Sequence, residues 1–277
     1  MNAKLLIHCA SARVQDFIYS FICEESCRMC KRTIYANGQL AETLFPDDDL
    51  ARPAVVHRWL GERPHYSKVL CECCWERLSS ETPLMGFYEN YGDRSFPIVS
   101  GAPYTGELRD LIHRFKYEGD RLLAPDLAAI MLGSWRLGSI FVDKAPAVLV
   151  PIPLHWKKRI ERGYNQSELL AQEAARILEI PVAAEALKRK RPTTPQQSLE
   201  KLDRFLNVAD AFVANGAKLS GKTVVLVDDI CTSGATLSEC VREVYRSGAA
   251  NVVALTVART LLRKGRISGN GRSSLLS

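Results

Sequence analysis

From about Phe96 onward, apolar residues recur in two alternating rhythms. Leu108, Leu111, Ile112 and Phe115 stand at i, i+3, i+4 and i+7, so residues 106–117 read as an amphipathic helix. A second helix is expected over residues 125–137. Residues 147–150 (AVLV) form a short apolar run ended by Pro151 and Pro153, the pattern of a buried strand entering a loop. Residues 167–178 read as a helix stopped ahead of Pro181, residues 208–213 as an edge strand, and residues 223–227 as a wholly apolar, β-branched strand. Leu237, Cys240, Val241, Val244 and Tyr245 form the next helical stripe, closed by Gly248, and residues 251–257 supply a final strand. Strands alternating with helices imply an α/β fold, a mostly parallel sheet with helices on both faces. Ligands of such sheets bind beyond the carboxyl ends of the strands.

The front of the chain breaks this rhythm. Residues 1–90 read as a leader and a cysteine module, residues 91–262 as the α/β domain, and residues 263–277, rich in Gly, Ser and Arg, as a disordered tail. Six of the nine cysteines fall within residues 23–74, in C-x-x-C spacings. Cys27 with Cys30 and Cys71 with Cys74 are two knuckles able to complete a closed, tetrahedral four-thiolate site for a structural Zn2+ in a small zinc-ribbon-like module. Cys23, Cys73, His57 and His65 are reserve ligands, and residues 31–70 have no assigned role. Cys9, Cys231 and Cys240 read as small hydrophobes.

Bulk properties narrow the setting. The 277 residues, 47% hydrophobic and 25% charged, have the composition of a soluble globular protein. The formal charge of +6 suits phosphorylated ligands or nucleic acid and selects neither. No stretch reaches the ~18 consecutive apolar residues of a membrane span. The start, MNAKLLIHCASA, imitates a signal peptide, but its apolar patch is broken by His8. Together with thiols that suggest a metal site rather than disulfides, this leads to the expectation of a cytoplasmic protein.

Two stretches compete as a phosphate loop. Gly216 to Thr223 spells G-x-x-x-x-G-K-T, yet it leads into the strand predicted at residues 223–227, whereas a P-loop must lead into a helix whose free N–H groups face the phosphates. Thr232-Ser233-Gly234-Ala235-Thr236 has the right neighbours: a strand before it and a helix after it. Its hydroxyls and backbone N–H groups can surround one phosphate as a nest. Asp228 and Asp229, just ahead of it, suit sugar hydroxyls, since charged acceptors give hydrogen bonds of about 1.5–3 kcal/mol. An acidic strand end of another kind, or a solvated turn, is the bland alternative.

An apolar strand, two acidic residues and a T-S-G-A-T loop resemble the binding signature of the type I phosphoribosyltransferases. The resemblance implies that Asp228 and Asp229 hold the ribose hydroxyls of 5-phosphoribosyl-1-pyrophosphate, while Thr232, Ser233, Gly234, Ala235 and Thr236 hold its 5-phosphate. A transferase of this kind also holds a diphosphate leaving group with Mg2+. VPIPLHWKKRIERGYNQSELLA, residues 150–171, offers Lys158, Arg159, Arg162 and Gly163 for that group, although such a charge run is also what a solvated basic face looks like. The pattern V-P-x-P…R-G-Y-N-Q-S-E-L-L-A is similar to the ComF family of competence-associated, phosphoribosyltransferase-like proteins. LRDLIHRFKYEGD (residues 108–120), the run from Pro195 to Phe212 and the C-x-x-C pairs carry the same resemblance. It implies a mobile hood near residues 189–207, with Arg191, Gln196, Arg204 and Asn207 as lid residues.

Two functional classes follow. One is an enzyme that binds phosphoribosyl pyrophosphate and transfers or hydrolyses it, with an acceptor left open; Thr232 stands where base-salvage relatives often carry an acid. The other is a sensing or scaffold protein whose zinc module and basic loops engage single-stranded DNA or a helicase-like partner in DNA uptake. Aromatic residues make up 8% of the chain, and its basic runs lack the aromatic interleaving of a single-strand stacking platform.

Overall fold

The computed structural model describes residues 25–31, 33–34, 69–89, 95–142, 146–191 and 208–261. At the front, β1 (Glu25–Ser26) and β2 (Thr33–Ile34) pair antiparallel, and α1 (Glu72–Ser79) follows. The main sheet has five strands in the order β3 (Leu84–Glu89), β4 (Ser95–Pro103), β9 (Asn251–Arg259), β8 (Thr223–Cys231), β5 (Ala147–Pro151). Only β3 runs antiparallel, against β4; the other pairs are parallel.

The central strands are apolar along their middles, residues 224–227 of β8 and 252–255 of β9, because both faces are covered there. Val225 and Val227 of β8, with Val253, Leu255 and Val257 of β9, point into one core. Val224, Leu226, Val252 and Ala254 point into the other. That is the period of two expected of a strand. The first core is closed by α2 (Gly106–Tyr117), α3 (Ala124–Leu132), α4 (Trp135–Ser139) and α6 (Gln166–Leu178), and by residues of the cysteine module. The second is closed by α8 (Ala235–Arg246) and by a small antiparallel ribbon, β6 (Leu187–Arg189) with β7 (Phe212–Ala214). Before them, α5 (Trp156–Arg162) buries none of its residues, and α7 (Gly216–Leu219) is a single turn.

The helix over residues 106–117 and the mostly parallel sheet stand as the sequence pattern predicts. Three expectations need correction. The helix expected over residues 125–137 is two, because Gly133 and Ser134, whose hydroxyl donates to the Met131 carbonyl at 2.7 Å, end α3 before α4 begins. Residues 208–213 supply no edge strand to the main sheet; Phe212–Ala214 pairs with β6 instead. The strand expected to stop at residue 227 runs on to Cys231 and carries the acid pair within it. The G-x-x-x-x-G-K-T stretch is α7, a turn with Gly221 at φ +70°, and the first residue of β8, so no helix follows it.

Candidate functional site

β5 pairs with β8 only as far as Pro151 and Val227. Beyond that point β8 overhangs, and a cleft of about 570 Å³ opens at the carboxyl ends of the parallel strands, a size suited to a small-molecule ligand. Asp228 and Asp229 line it, as do Thr232, Gly234, Ala235 and Thr236. Gly234 caps α8 at φ +78°, a left-handed turn that a side chain would strain. Ser233 is buried, and its hydroxyl accepts from the Ala235 N–H at 3.4 Å, so it shapes the loop. The twelve-residue α8 thus aims its N-terminus at the cleft, with the partial positive charge of that end.

Each letter of R-G-Y-N-Q-S (residues 162–167) has a physical task. Arg162 lines the cleft and donates to Gln166 Oε1 at 3.1 Å. Gly163 ends α5 at φ +75° and offers its carbonyl to Arg121 at 3.1 Å. Tyr164 donates to the Phe115 carbonyl of α2, and Arg121 lies 4.6 Å over its ring. Asn165 caps α6 by accepting from the Ser167 N–H, and its amide donates to the Ile152 carbonyl where β5 ends. Ser167 donates to Asp228 Oδ1 at 2.8 Å. Lys158 lines the cleft with Arg162, whereas Arg159 is exposed and lies 3.7 Å from Glu168. The basic run is therefore half cleft wall and half solvated face.

Among the residues that sequence reasoning missed is Lys116. Its ammonium lies 2.9 Å from Asp229 Oδ1, inside the cleft. The available signal was its place in FKYEGD, beside the apolar stripe of α2. Arg109, His113 and Tyr117 of the same helix, and Arg189 of β6, also line the cleft. Burial works to lower the Lys116 pKa, but the charge and hydrogen bond of Asp229, then Asp228, outweigh it and leave it raised. Burial, then the charge of Asp229, pushes Asp228 up to about 7, opposed by Lys116 and Ser167. Lys158 is lowered by burial and then by Arg162, Arg189 and Lys116.

Of the expected lid residues, Arg191 stands exposed at the root of the segment and donates to the Ala209 carbonyl. Gln196, Arg204 and Asn207 lie outside the described residues. The segment leaves and returns through the β6–β7 ribbon, so its ends are held close together.

The second centre is the cysteine cluster. The sulfur atoms of Cys27, Cys30, Cys71 and Cys74 all lie within 4.8 Å of one another. Cys30 Sγ and Cys71 Sγ are 3.7 Å apart, and Cys27 Sγ accepts from the Cys71 N–H at 3.3 Å. Burial works to raise the Cys27 pKa, but N–H groups of Cys30, Cys71 and Met29 outweigh it and lower it to about 6. Cys73 is exposed and outside the cluster, and Cys23, His57 and His65 lie outside the described residues.

Residues 165–270 match the family model described as phosphoribosyl transferase domain. Over 162 residues the chain is 33% identical to Competence protein F of Haemophilus influenzae, covering 56% of this chain and 69% of that protein. It is 32% identical over 169 residues to DNA utilization protein YhgH of Escherichia coli K12, covering 59% and 72%. Competence protein ComFC of Bacillus subtilis is 30% identical over 158 residues, covering 57% and 62%. Among solved structures, one described as the allosteric regulatory enzyme of purine biosynthesis aligns with 48% of this chain and 25% of its own, at 22% identity and a TM-score of 0.32.

Proposed function

We propose that this chain, which belongs to the competence protein F (ComF) family, binds 5-phosphoribosyl-1-pyrophosphate with Mg2+ and acts as a phosphoribosyltransferase-like protein in DNA uptake. The observation that carries the reading is a convergence in one cleft. The acid pair of β8, the loop at the N-terminus of α8 and the cations Lys158 and Arg162 all line it. Asp228 and Asp229 accept from ribose hydroxyls, and Ser167 fixes the Asp228 carboxylate for that purpose. The N–H groups and hydroxyls of residues 232–236 take the 5-phosphate. Lys158 and Arg162, the latter steadied by Gln166, offset the charge of the diphosphate. Asp228 and Asp229 line the cleft and are the protein donors that could hold Mg2+ together with oxygens of the diphosphate. The ion would supply charge stabilisation for the leaving group.

The four cysteines fit a structural Zn2+. A tetrahedron with Zn–S bonds of about 2.3 Å has sulfur atoms ~3.8 Å apart, and Cys30 and Cys71 stand at 3.7 Å. The residues fill every position of such a site, so the metal would hold the fold and activate nothing.

A second reading, a single-stranded DNA partner, is favoured by α5. Trp156 and Ile160 are 61% and 74% exposed there, and Lys157 lies 5.6 Å from the Trp156 ring centroid. Although the basic runs lack sustained aromatic interleaving, this exposed ring beside a lysine offers one surface on which a base could stack. Loss of oligonucleotide affinity in Trp156→Ala, with the cleft's ligand still bound, would support it.

Calorimetric titration of phosphoribosyl pyrophosphate with Mg2+ tests the main reading. Saturable binding is expected for the wild type, and loss of at least a hundredfold in affinity for Asp228→Ala/Asp229→Ala, since two charged acceptors of about 1.5–3 kcal/mol each are removed. A folded, zinc-loaded wild type that binds nothing would sink it.

A further inference from the structure

One of the two carboxylates in the cleft is already engaged. Lys116 Nζ stands 2.9 Å from Asp229 Oδ1, with side-chain exposures of 17% and 9%. Asp228 is held instead by the Ser167 hydroxyl at 2.8 Å and by the Asp229 N–H at 2.9 Å. Lys116 comes from α2, whereas the other two partners come from α6 and β8. Lys158, Arg162 and Arg189 line the same cleft. Repulsion from Arg162 acts on Lys116, and repulsion from Lys116 acts on Lys158, so these cations lie within electrostatic reach of one another. An ammonium on a flexible four-carbon stem can exchange one oxygen partner for another without moving its helix.

Resting on the reading of the cleft given above, we propose that Lys116 is a displaceable latch. In the free cleft it holds Asp229; a bound diphosphate draws the ammonium to its own oxygens and leaves the carboxylate to the ribose hydroxyls. The two ends of the ligand are thereby coupled through one side chain. A ligand with both ends gains from the exchange, while a fragment with only the diphosphate must compete with Asp229 for the ammonium. The coupling is reciprocal, as linkage requires. The device also keeps two adjacent carboxylates from repelling a polyanion as it enters.

The test is a double-mutant cycle read with inorganic diphosphate and Mg2+, by calorimetry, on the wild type, Asp229→Asn, Lys116→Met and the double variant. Asp229→Asn should tighten diphosphate binding about tenfold when Lys116 is present and less than about twofold in the Lys116→Met background. Lys116→Met alone should weaken it by about tenfold or more. Lys116→Gln carries the same comparison if the methionine variant fails to fold. Equal tightening in both backgrounds would reduce Asp229 to a repelling charge and overturn the latch, as would unchanged affinity in Lys116→Met. If the wild type binds phosphoribosyl pyrophosphate and the cycle shows no coupling, the latch falls and the proposed function stands. If it binds neither compound, both fall.

Discussion

At Asp228, burial and a neighbouring carboxylate pull against the proposed role in holding a ribose hydroxyl. Burial and then Asp229 raise its pKa from the ordinary 3.8 to about 7. Between those values the folded chain keeps a proton that the unfolded chain releases, so stability falls as pH rises from about 4 to about 7 and levels off above. Asp228→Asn removes that cost. Its thermal midpoint should match the wild type near pH 4 and exceed it at pH 8; equal midpoints at both would show that no such proton is held. Ligand binding should slope the other way. A ribose hydroxyl donates best to the ionised carboxylate, so affinity for phosphoribosyl pyrophosphate should rise about tenfold per pH unit below about 7, relative to Asp228→Asn as reference. A titration series showing parallel profiles for the two proteins would remove Asp228 from that role. The acid pair was legible because strand, acids, loop and helix follow one another in a single stretch. Ser167 and Lys116 were not, because the carboxylates they meet lie far along the chain and only the packing of α2 and α6 against β8 joins them.

At the scale of an element, α2 was the easiest helix to read and the least understood. Its apolar stripe, Leu108, Leu111, Ile112 and Phe115, is buried as the spacing requires. Its polar side chains and one backbone carbonyl serve three neighbours that the stripe does not reveal. Lys116 reaches Asp229. The Phe115 carbonyl receives the Tyr164 hydroxyl. Arg114 donates to the Arg28 carbonyl inside the first cysteine knuckle and to Asp120 at 2.8 Å, while Arg28 lies 3.5 Å from the same Asp120 oxygen. The helix is therefore fastened to the cysteine knuckle two residues from the cation it places in the cleft. Arg114→Ala should cost about 1–3 kcal/mol in denaturant unfolding, because Asp120, only 9% exposed, loses its better partner. Arg114→Lys should recover part of this, keeping charge without the planar fork. The exposed pair between Arg77 of α1 and Glu107 of α2 is the control: at 57% and 45% exposure, Arg77→Ala should cost no more than about 1 kcal/mol. Equal costs for Arg114→Ala and Arg77→Ala would mean that the knuckle and α2 are not fastened in this way.

At the scale of the whole molecule, the question is whether the cysteine module stands apart from the sheet. In sequence it looks separate, since its ligands are distant from the strands and helices that follow. In the structure Cys27, Cys74, Trp75 and Leu78 share one core with Leu108, Phe115 and Val257. β3, which falls inside residues 1–90, pairs with β4 along the edge of the main sheet. Burial of this kind cannot be seen from spacing, because it depends on where α1 and the first knuckle dock. It has a measurable consequence if the four thiolates hold zinc. Removing the metal frees two knuckles whose buried cysteines belong to the common core, so unfolding should remain a single transition at lower temperature. For a loss of ~2–3 kcal/mol in a domain of this size, the midpoint should fall by roughly 5–10 °C. Chelation followed by calorimetric scanning reads both quantities. The same chelated protein should bind phosphoribosyl pyrophosphate more weakly, because Arg114 then no longer braces the helix that carries Lys116. Two separate transitions, with the upper one and the affinity unmoved, would instead make the module an independent unit beside the cleft.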